Sequence, residues 1–439
     1  MKPIFLARTG AALLAAAGSL TAFAAAQRAA IPPLEIPRGV GVNIHFRGGH
    51  EKELDMIAAG GFRFIRMDFT WSAIERARGA YDWSAYEALT SGLERRGLSA
   101  IYILDYSNPL YEKIVETRDP ITGRATRALA SPRGPESVAA FARWAGAAAA
   151  RFRGRPVIWE IWNEPNIHFW KPKPNVEDYA RLAKAAAKAI RAADPQALIV
   201  APASSGFPWE FLERFFQSGI LADLDAVSVH PYRNYRLGPE TAAADYAKLR
   251  ALIRKYAPAG KERLPILSGE WGYATHRPGG LSRARQAAFF ARQQLANLAS
   301  GVPISIWYDW RDDGPDPKER EHNFGVVDLR LQPKPAYLAA QTLARELGGF
   351  RFLRRIAAGP KDAWVLLFEN GKGARKLAAW SAGSPLLLSI PIEELGVEPV
   401  GGCDSYGKPF SLRVRRGKLR LSLGEAPCYI AGRSRRAGR

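Results

Sequence analysis

Two glutamates in this chain each stand where an apolar run ends. Residues 156–162 have the pattern of a buried strand, and the segment WEIWNEPN at 159–166 places Glu164 after it, just before Pro165. Proline ends the run because it has no N–H with which to extend a central β-ladder. In the segment PILSGEWGY, a second strand over residues 265–269 ends at Glu270. A pair of carboxylates delivered at strand ends is the minimum equipment for hydrolysis of a glycosidic bond.

The spacing of the two glutamates indicates a scaffold that would bring them together. Glu164 and Glu270 lie 106 positions apart. That interval corresponds to three βα units of about 35 residues, as in a barrel of roughly 250 residues. It places the two glutamates after strands 4 and 7 of a (β/α)8 barrel, where the carboxyl ends of all the strands meet at one face.

Eight segments have the pattern of buried parallel strands, which are apolar almost throughout because both of their faces are covered. These strands are predicted at residues 39–46, 63–69, 99–105, 156–162, 197–202, 226–230, 265–269 and 303–307. Helical patterns alternate with them, for example at residues 176–193, 241–256 and 282–300. We therefore predict an α/β fold, a (β/α)8 TIM barrel over residues 27–348.

The pattern changes after the barrel, where short alternating segments separated by glycine-rich turns predict antiparallel strands. These segments lie at residues 363–369, 376–380, 385–390, 411–415 and 419–423. We predict a small C-terminal antiparallel β domain over residues 349–432, followed by a basic tail at 433–439. Trp364 and Trp380 occupy strand positions and are predicted to be core residues, with carbohydrate binding as the alternative.

The N-terminus has the features of a secretory signal. Lys2 and Arg8 accompany an alanine- and leucine-rich run, and residues 24–26 offer a small-residue cleavage site. We predict that residues 1–26 are a signal peptide and that the mature chain is periplasmic or extracellular. The alternative is an uncleaved segment that anchors the chain in the inner membrane, although the run is shorter than the roughly 20 residues that a span needs.

The chain carries a large positive charge. Its net charge is +21, and removal of residues 1–26, which hold two cations and no acid, leaves +19. Such a surplus is compatible with an acidic polysaccharide or with loose association with an anionic membrane surface. We predict no nucleic-acid partner, because an exported chain seldom meets one and no nucleic-acid motif is present. The predicted partner is an oligo- or polysaccharide, neutral or acidic, and the predicted state is a monomer.

Metal and cofactor chemistry find no support in the sequence. The six histidines show no metal-ligand spacing. No dinucleotide fingerprint follows a strand, and the segment GCDSYGKP has proline where a phosphate loop requires serine or threonine. We therefore predict neither a cofactor nor a metal site.

The chain has only two cysteines, Cys403 and Cys428, and both fall in the predicted C-terminal β domain. Exported proteins commonly use such pairs as disulfides. We predict one disulfide between them, and the alternative is two buried thiols.

Several motifs carry a resemblance to a known family. WEIWNEPN together with SGEWG, at predicted strands 4 and 7, resembles the clan A retaining glycoside hydrolases, in which an asparagine precedes the acid/base glutamate. The continuation NEPNIHFW, GVNIHF at residues 41–46, HPY at 230–232 and FGVVDLRLQPKPAY are similar to glycoside hydrolase family 39. They are also similar to endoglycosidases encoded with bacterial exopolysaccharide systems such as Psl. The resemblance spans residues 38–345.

The resemblance implies roles for three residues around the scissile bond. Glu164 would be the general acid and base, and Glu270 would be the nucleophile that forms a glycosyl-enzyme. Asn163 would hydrogen-bond the sugar 2-hydroxyl, where contacts strengthen in the transition state. Retention of configuration requires the two carboxyl groups to lie about 5–5.5 Å apart.

The resemblance also implies supporting residues. Tyr232 would bond the nucleophile, and Arg66 on strand 2 would keep it ionised by its positive charge. Arg66 has the alternative of being a purely structural partner of Glu160, which lies mid-strand and has the same strand parity as Glu164. His45 and His230 stand at strand ends, where a role in the site competes with ordinary packing.

Tryptophans cluster at or just after the predicted strand ends, and aromatic rings suit the apolar faces of sugars. The four that we assign to the site are Trp170, Trp271, Trp307 and Trp310. Trp307 has the strand-8 position at which clan relatives place a tryptophan under the sugar. Each could instead be a core residue, but together they favour a polysaccharide.

These observations predict an exported O-glycosyl hydrolase that retains configuration and cuts a bacterial exopolysaccharide or similar glycan internally. The nearest alternative is an exo-acting enzyme of the β-xylosidase or iduronidase type. A noncatalytic glycan-binding protein on the same scaffold is disfavoured, because such a protein would need neither Glu164 nor Glu270.

Overall fold

The computed structural model describes residues 28–119 and 122–434. The predicted signal peptide, residues 1–26, and positions 435–439 of the predicted basic tail lie outside the described residues. The described part holds a closed barrel and two further antiparallel sheets of more than two strands. The predicted fold class, a (β/α)8 barrel with an antiparallel β domain after it, is confirmed.

The barrel consists of eight parallel strands, each paired with the next along the chain until the last closes onto the first. The strands, β1 to β8, are Val40–Asn43, Phe64–Thr70, Ser99–Asp105, Val157–Ile161, Leu198–Ser205, Ala226–His230, Ile266–Trp271 and Ser305–Trp307. Closure is made by β8 against β1, where Ser305 pairs with Val40. Each strand overlaps a predicted segment, because burial on both faces leaves a continuous apolar run in the sequence.

Helices cover the outside of the barrel and bury their apolar faces against it. The α-helices of the described chain, α1 to α10, are Glu51–Ala59, Trp71–Ile74, Ser84–Glu94, Pro135–Arg151, Val176–Ala193, Trp209–Gln217, Ala242–Tyr256, Arg283–Ala299, Pro335–Leu347 and Ile392–Leu395. Short 3-10 helices lie at Ile220–Ala222, Pro239–Thr241 and Glu321–Asn323. In α5 the Asn175 side chain caps the first turn by accepting a hydrogen bond from the Asp178 N–H, 2.9 Å. Within the described ranges, no helix is both long enough and apolar enough to cross a bilayer.

The inside of the barrel changes from apolar at one end to polar at the other. Its apolar layer includes Phe64, Ile101, Ile158, Val200, Ala226, Leu267, Ile304 and Ile306. Positions two residues further along a strand point to the same side, and there the chain places Arg66 on β2, Glu160 on β4 and Ser228 on β6, all buried. The polar layer therefore lies toward the carboxyl ends of the strands.

Two β-hairpins lie in loops between the barrel elements, Glu75–Ala77 with Ala80–Tyr81 and Ile114–Arg118 with Ala125–Leu129.

The strands after the barrel, β9 to β17, are Phe350–Arg355, Ala363–Asn370, Arg375–Ser381, Leu386–Pro391, Val397–Cys403, Pro409–Phe410, Arg413–Arg415, Lys418–Leu423 and Cys428–Ser434. Strands β9, β10, β11, β17, β13 and β14 lie in that order in one sheet, and β12, β16 and β15 form a second sheet. Leu377, Leu388, Leu421 and Ile430 share one buried apolar cluster that both sheets supply.

The larger sheet also contains a strand from the other end of the chain. Glu35–Ile36 pairs antiparallel with β9, Glu35 opposite Arg351 and Ile36 opposite Phe350. The boundary drawn at residue 349 therefore omits a part of this sheet. A two-residue strand has no alternation long enough to be recognised in the sequence.

A buried polar cluster connects the β domain to the barrel. Trp380 on β11 donates from Nε1 to Glu240 Oε1, 2.6 Å, and Arg292 on α8 donates to both oxygens of Glu240, 2.7 and 2.8 Å. Trp364 stacks on Trp380 with 5.4 Å between ring centroids. Both tryptophans are buried, so they are core residues as predicted and offer no exposed face to a sugar.

The disulfide prediction is wrong, because Cys403 and Cys428 are free thiols. Cys403 on β13 pairs with Tyr429 on β17, so these two side chains share a face of the sheet. Cys428, the residue before Tyr429, points to the opposite face and packs in another apolar cluster. Burial raises the pKa of Cys403 to about 11 and that of Cys428 to about 12, which keeps both protonated.

Candidate active site

The chain turns sharply after β4, so that Asn163 and Glu164 lie at the carboxyl ends of the strands. Trp162 and Glu164 adopt left-handed backbone angles, with φ of 67° and 47°. Such angles are uncommon outside glycine and concentrate at functional sites. A hydrogen bond from the Glu164 N–H to the Ala203 carbonyl, 3.0 Å, fixes the turn against β5. Asn166 adds two side-chain hydrogen bonds with the β5 backbone, 2.9 and 3.0 Å.

The structure brings Glu164 and Glu270 together across the barrel. A carboxylate oxygen of each glutamate and Nδ1 of His230 all lie within 4.8 Å of one another. Oxygens this close belong to a carboxyl pair of the closely spaced kind, about 5–5.5 Å, that acts by double displacement. Their separation is too short for the about 6.5–9.5 Å that leaves room for an attacking water in an inverting pair.

Arg66 is the hub of the polar layer and is fully buried. It donates to Glu160 Oε2 at 2.6 Å, to Glu270 Oε2 at 2.7 Å and to Asn163 Oδ1 at 2.8 Å. Both contacts weighed for Arg66, with Glu270 and with Glu160, are therefore made by one side chain. Glu160 has no exposed surface, so a substrate cannot reach it.

Each carboxylate oxygen of Glu270 accepts one hydrogen bond. Arg66 donates to Oε2, and the Tyr232 hydroxyl donates to Oε1 at 2.8 Å. The Glu270 side chain keeps 14% of its surface exposed, so a ligand can reach it. Two directed donors, one of them cationic, fix the orientation of this carboxyl group.

Glu164 has a different environment, since it is buried and no cationic side chain of the described residues donates a hydrogen bond to it. Burial raises its pKa to about 7. Its Oε1 lies 2.8 Å from His230 Nδ1. The two carboxyl groups of the site therefore lie in unequal environments: Glu164 is buried and holds a proton near neutral pH, whereas Glu270 accepts a hydrogen bond from a cationic donor.

His230 is neutral, because burial lowers its pKa to about 4. Its Nε2 faces Arg66 Nη2 at 3.2 Å, and a guanidinium can only donate, so Nε2 is the acceptor. The ring proton therefore lies on Nδ1 and is donated to Glu164. His230 thus orients Glu164 and does not act as a second base.

The tryptophan predictions need correction, because all four indoles are buried. Trp307 packs on Phe290 of α8 with ring centroids 5.2 Å apart. Its predecessor Ile306 fills the barrel interior, so alternation along β8 turns Trp307 outward. Trp310 donates from Nε1 to buried Glu53, 2.7 Å.

Trp170 and Trp271 also belong to the core. Trp170 lies between Trp162 and Tyr179, with ring centroids 5.1 and 5.6 Å away. Trp271 lies beside Tyr273, with ring centroids 5.9 Å apart. Neither ring has an exposed face on which a sugar could stack.

Two tyrosines that the sequence analysis missed supply the aromatic surface near the carboxylates. Tyr106, directly after β3, accepts a hydrogen bond from Asn163 Nδ2 at 3.0 Å. Tyr308, directly after β8, is half-buried and lies edge-on to His45, with ring centroids 5.8 Å apart. Burial and the charges of Asp309 and Glu270 raise the pKa of the Tyr308 phenol. Both tyrosines follow predicted strand ends, which was the available clue.

A cavity of about 250 Å³ lies beside Tyr106. Tyr106, Leu129, Phe169 and Lys171 are among the residues that line it. The rings of Tyr106 and Phe169 are nearly parallel, 22° apart, with centroids separated by 5.9 Å. An apolar cavity with aromatic walls, connected to the site through Tyr106 and its partner Asn163, suits a carbohydrate ring.

The sequence and the fold both have counterparts among known proteins. Residues 39–312 match the family model described as cellulase (glycosyl hydrolase family 5). A β-xylosidase of Geobacillus stearothermophilus is 28% identical over 302 residues, which are 62% of this chain and 58% of that protein. A β-xylosidase of Caldicellulosiruptor saccharolyticus is 24% identical over 205 residues, 43% of this chain and 41% of its own length. The chain thus spans less than two thirds of each curated relative.

Solved structures share the fold. A family 39 glycoside hydrolase from Bacteroides cellulosilyticus WH2 superposes with a TM-score of 0.76 at 23% identity, covering 92% of this chain and 81% of that one. A family 39 β-xylosidase from Caulobacter crescentus has a TM-score of 0.65 at 18% identity, covering 92% and 98%. In both cases the superposition includes the β domain as well as the barrel, since it covers more of the chain than the barrel alone.

Proposed function

Because the chain belongs to the clan A glycoside hydrolases, with a cellulase-type domain and most likeness to family 39, we propose that it hydrolyses glycosidic bonds with retention of configuration. The separation of the carboxylates of Glu164 and Glu270, within 4.8 Å, supports this most directly. Their unequal environments support it further, because double displacement needs one protonated and one ionised carboxyl group.

In the first step, Glu270 attacks the anomeric carbon while Glu164 gives its proton to the glycosidic oxygen. The bond to the leaving group breaks, and an ester between the sugar and Glu270 forms. Arg66 and Tyr232 orient the attacking carboxylate. Asn163, held by Arg66 and Tyr106, presents its amide toward the sugar beside the reacting carbon.

In the second step, Glu164 is a carboxylate and takes a proton from water. The hydroxide attacks the anomeric carbon, and the ester bond to Glu270 breaks, so the product has the starting configuration. His230 keeps Glu164 in place through both steps, since its Nδ1–H donates to that carboxylate. Glu164 ends the cycle protonated again.

For the substrate, we propose a β-linked xylose or similar neutral sugar that is removed from the non-reducing end of a chain. The names of both curated relatives, β-xylosidases, support this exo-acting type. Internal cleavage of a bacterial exopolysaccharide is the second candidate. The cavity beside Tyr106 favours it, because an endo-acting enzyme needs room for further rings next to the reacting one.

Product sizing separates the two candidates. With a xylo-oligosaccharide labelled at its reducing end, exo action gives free xylose and labelled products shortened by one unit at a time. Release of mid-sized fragments from an exopolysaccharide, with no xylose from the labelled substrate, would establish the endo candidate instead. The Glu270→Gln variant, assayed in parallel, excludes a contaminating enzyme. A folded protein inactive on the whole panel would overturn the proposed activity.

The elevated pKa of Glu164 predicts the alkaline limb of the pH profile. Glu164 must be protonated to act as the acid, so kcat/KM on an unactivated glycoside should fall as pH rises through about 7. An aryl glycoside with a good leaving group needs no proton, and its kcat/KM should stay level over the same range. Identical limbs for both substrates would contradict the assignment.

A further inference from the structure

The segment of residues 231–241 joins β6 to α7 and carries Tyr232, whose hydroxyl donates to Glu270. Among the described residues, the backbone-to-backbone hydrogen bonds of residues 231–238 stay within the segment or reach only its neighbour His230. The Tyr232 N–H, for example, donates to the His230 carbonyl at 2.8 Å. Since these bonds are local, the position of the segment on the barrel depends on side-chain contacts.

One such contact joins the start of the segment to its end. Arg233, the residue after Tyr232, donates from Nε to Thr241 Oγ1 at 3.2 Å and also bonds to Asp245 in the first turn of α7. Thr241 in turn donates to the Gly238 carbonyl at 2.8 Å. Because the two ends are joined, a contact that fixes residues 238–241 also restrains the residue beside Tyr232.

The β domain supplies that contact. Glu240 lies beside Thr241 in a 3-10 helix and is buried. Its carboxylate accepts two hydrogen bonds from Arg292 on α8 and one from Trp380 on β11, the last at 2.6 Å. Glu425, which also belongs to the β domain, accepts a hydrogen bond from Arg292 at 3.3 Å. Buried charge-assisted bonds of this kind are strong, so the 3-10 helix is held between α8 and the β domain.

The backbone of the segment packs directly on this ion pair. A Cβ on Gly238 would come within 3.0 Å of both Arg292 Nη2 and Glu240 Oε2. The φ of Gly238 is −69°, which other residues adopt readily, so glycine is needed here for space. A shift of the ion pair would therefore be transmitted to the segment.

We propose that Trp380 of the β domain is a positioning residue for Tyr232 and, through it, for the nucleophile. Trp380 holds Glu240, Glu240 fixes the 3-10 helix, and the side-chain bond across the segment passes this restraint to Tyr232. The Tyr232 hydroxyl then stays 2.8 Å from Glu270. The β domain thus supports one wall of the site without touching the substrate. This inference rests on the proposed glycosidase activity.

A double-mutant cycle on an aryl glycoside tests the proposal. Tyr232→Phe should lower kcat about 10–100-fold, the usual cost of losing a hydrogen bond to a carboxylate. Trp380→Phe keeps an aromatic ring but removes the N–H that Glu240 accepts. It should lower kcat about 5-fold when Tyr232 is present and less than about 2-fold in the Tyr232→Phe background, because its effect passes through the tyrosine hydroxyl.

Hydrogen exchange supplies a readout that needs no substrate. Peptides that cover residues 231–241 should exchange faster in Trp380→Phe, whereas β4 should exchange as in the unmodified chain. Trp364→Phe is the matched control, since Trp364 stacks on Trp380 while Glu240 receives its three bonds from Trp380 and Arg292. It should leave kcat and exchange unchanged. Gly238→Ala, which displaces the ion pair from the barrel side, should reproduce the effects of Trp380→Phe.

Equal fold losses from Trp380→Phe with and without the Tyr232 hydroxyl would overturn the proposal, and so would unchanged exchange over residues 231–241. An equal effect of Trp364→Phe would assign the loss to packing and overturn it as well. If Glu270→Gln abolishes hydrolysis while Trp380→Phe leaves it unchanged, the proposed function stands and this inference fails. If Trp380→Phe does not fold, Gly238→Ala carries the same test. If the unmodified chain cleaves nothing, the proposed function fails, and exchange still decides whether Trp380 restrains the segment.

Discussion

Glu270→Gln should lower kcat by about 10⁴-fold or more while the protein stays folded, because the amide cannot form the glycosyl ester. The substitution preserves the size of the side chain and the contact of its oxygen with Tyr232. Stopped and steady-state assays on an aryl glycoside measure the loss, and thermal unfolding checks the fold. Glu319→Gln, the same change at an exposed position, is the control and should leave kcat unchanged.

A smaller side chain at the same position tests the stereochemistry. Glu270→Gly opens a cavity for azide, which would attack the anomeric carbon from the face that Glu270 occupies. The glycosyl azide should therefore have the configuration opposite to that of the substrate, as nuclear magnetic resonance would show. Substantial residual turnover in Glu270→Gln, or an azide product of retained configuration, would contradict the assignment of the nucleophile.

Glu164→Gln should have an effect that depends on the leaving group. On an unactivated disaccharide the rate should fall by about 10²–10⁴-fold, the usual contribution of a general acid. On a dinitrophenyl glycoside the first step needs no proton, so a rapid burst of phenolate should precede a slow steady state in which the missing base limits release. Rapid-mixing absorbance measurements separate the two phases.

Azide again distinguishes a catalytic role from a structural one. In Glu164→Gly, azide should replace water in the second step, raise the steady-state rate and give a product of retained configuration. An equal loss of rate on both substrates, with no burst and no azide effect, would mean that Glu164 only shapes the site. Circular dichroism of each variant excludes trivial unfolding.

The barrel and the position of the two glutamates could be predicted from the sequence for a physical reason. Parallel strands covered on both faces, such as Ser99–Asp105 and Ala226–His230, leave uninterrupted apolar runs. Asn163 and Pro165 bracket Glu164 at the point where such a run must stop. Local patterns of this kind can be recognised in the sequence, because each depends on the burial and hydrogen bonding of a single segment.

The aromatic residues of the site could not be predicted from local sequence patterns. Trp307 and Tyr308 are neighbours in sequence, so their side chains point in different directions. Trp307 packs outward against α8 and Tyr308 lies at the barrel mouth, and only the inward and outward alternation along β8 decides which is which. A one-residue change in phase reverses every side chain of a strand. The same alternation separates Cys403 from Cys428, which the sequence analysis had paired because both lie in one short β-rich region of an exported chain.

By itself, the sequence determined the class of fold, the two carboxyl groups and the chemistry that they imply, since these follow from segments that each carry their own signal. The tertiary structure decided how those groups differ. Arg66 and Tyr232 converge on Glu270, burial acts on Glu164, and His45 meets Asp309 across the closure of the barrel. These relations join residues far apart in the chain, so they depend on the register and closure of the eight strands, which no local pattern encodes.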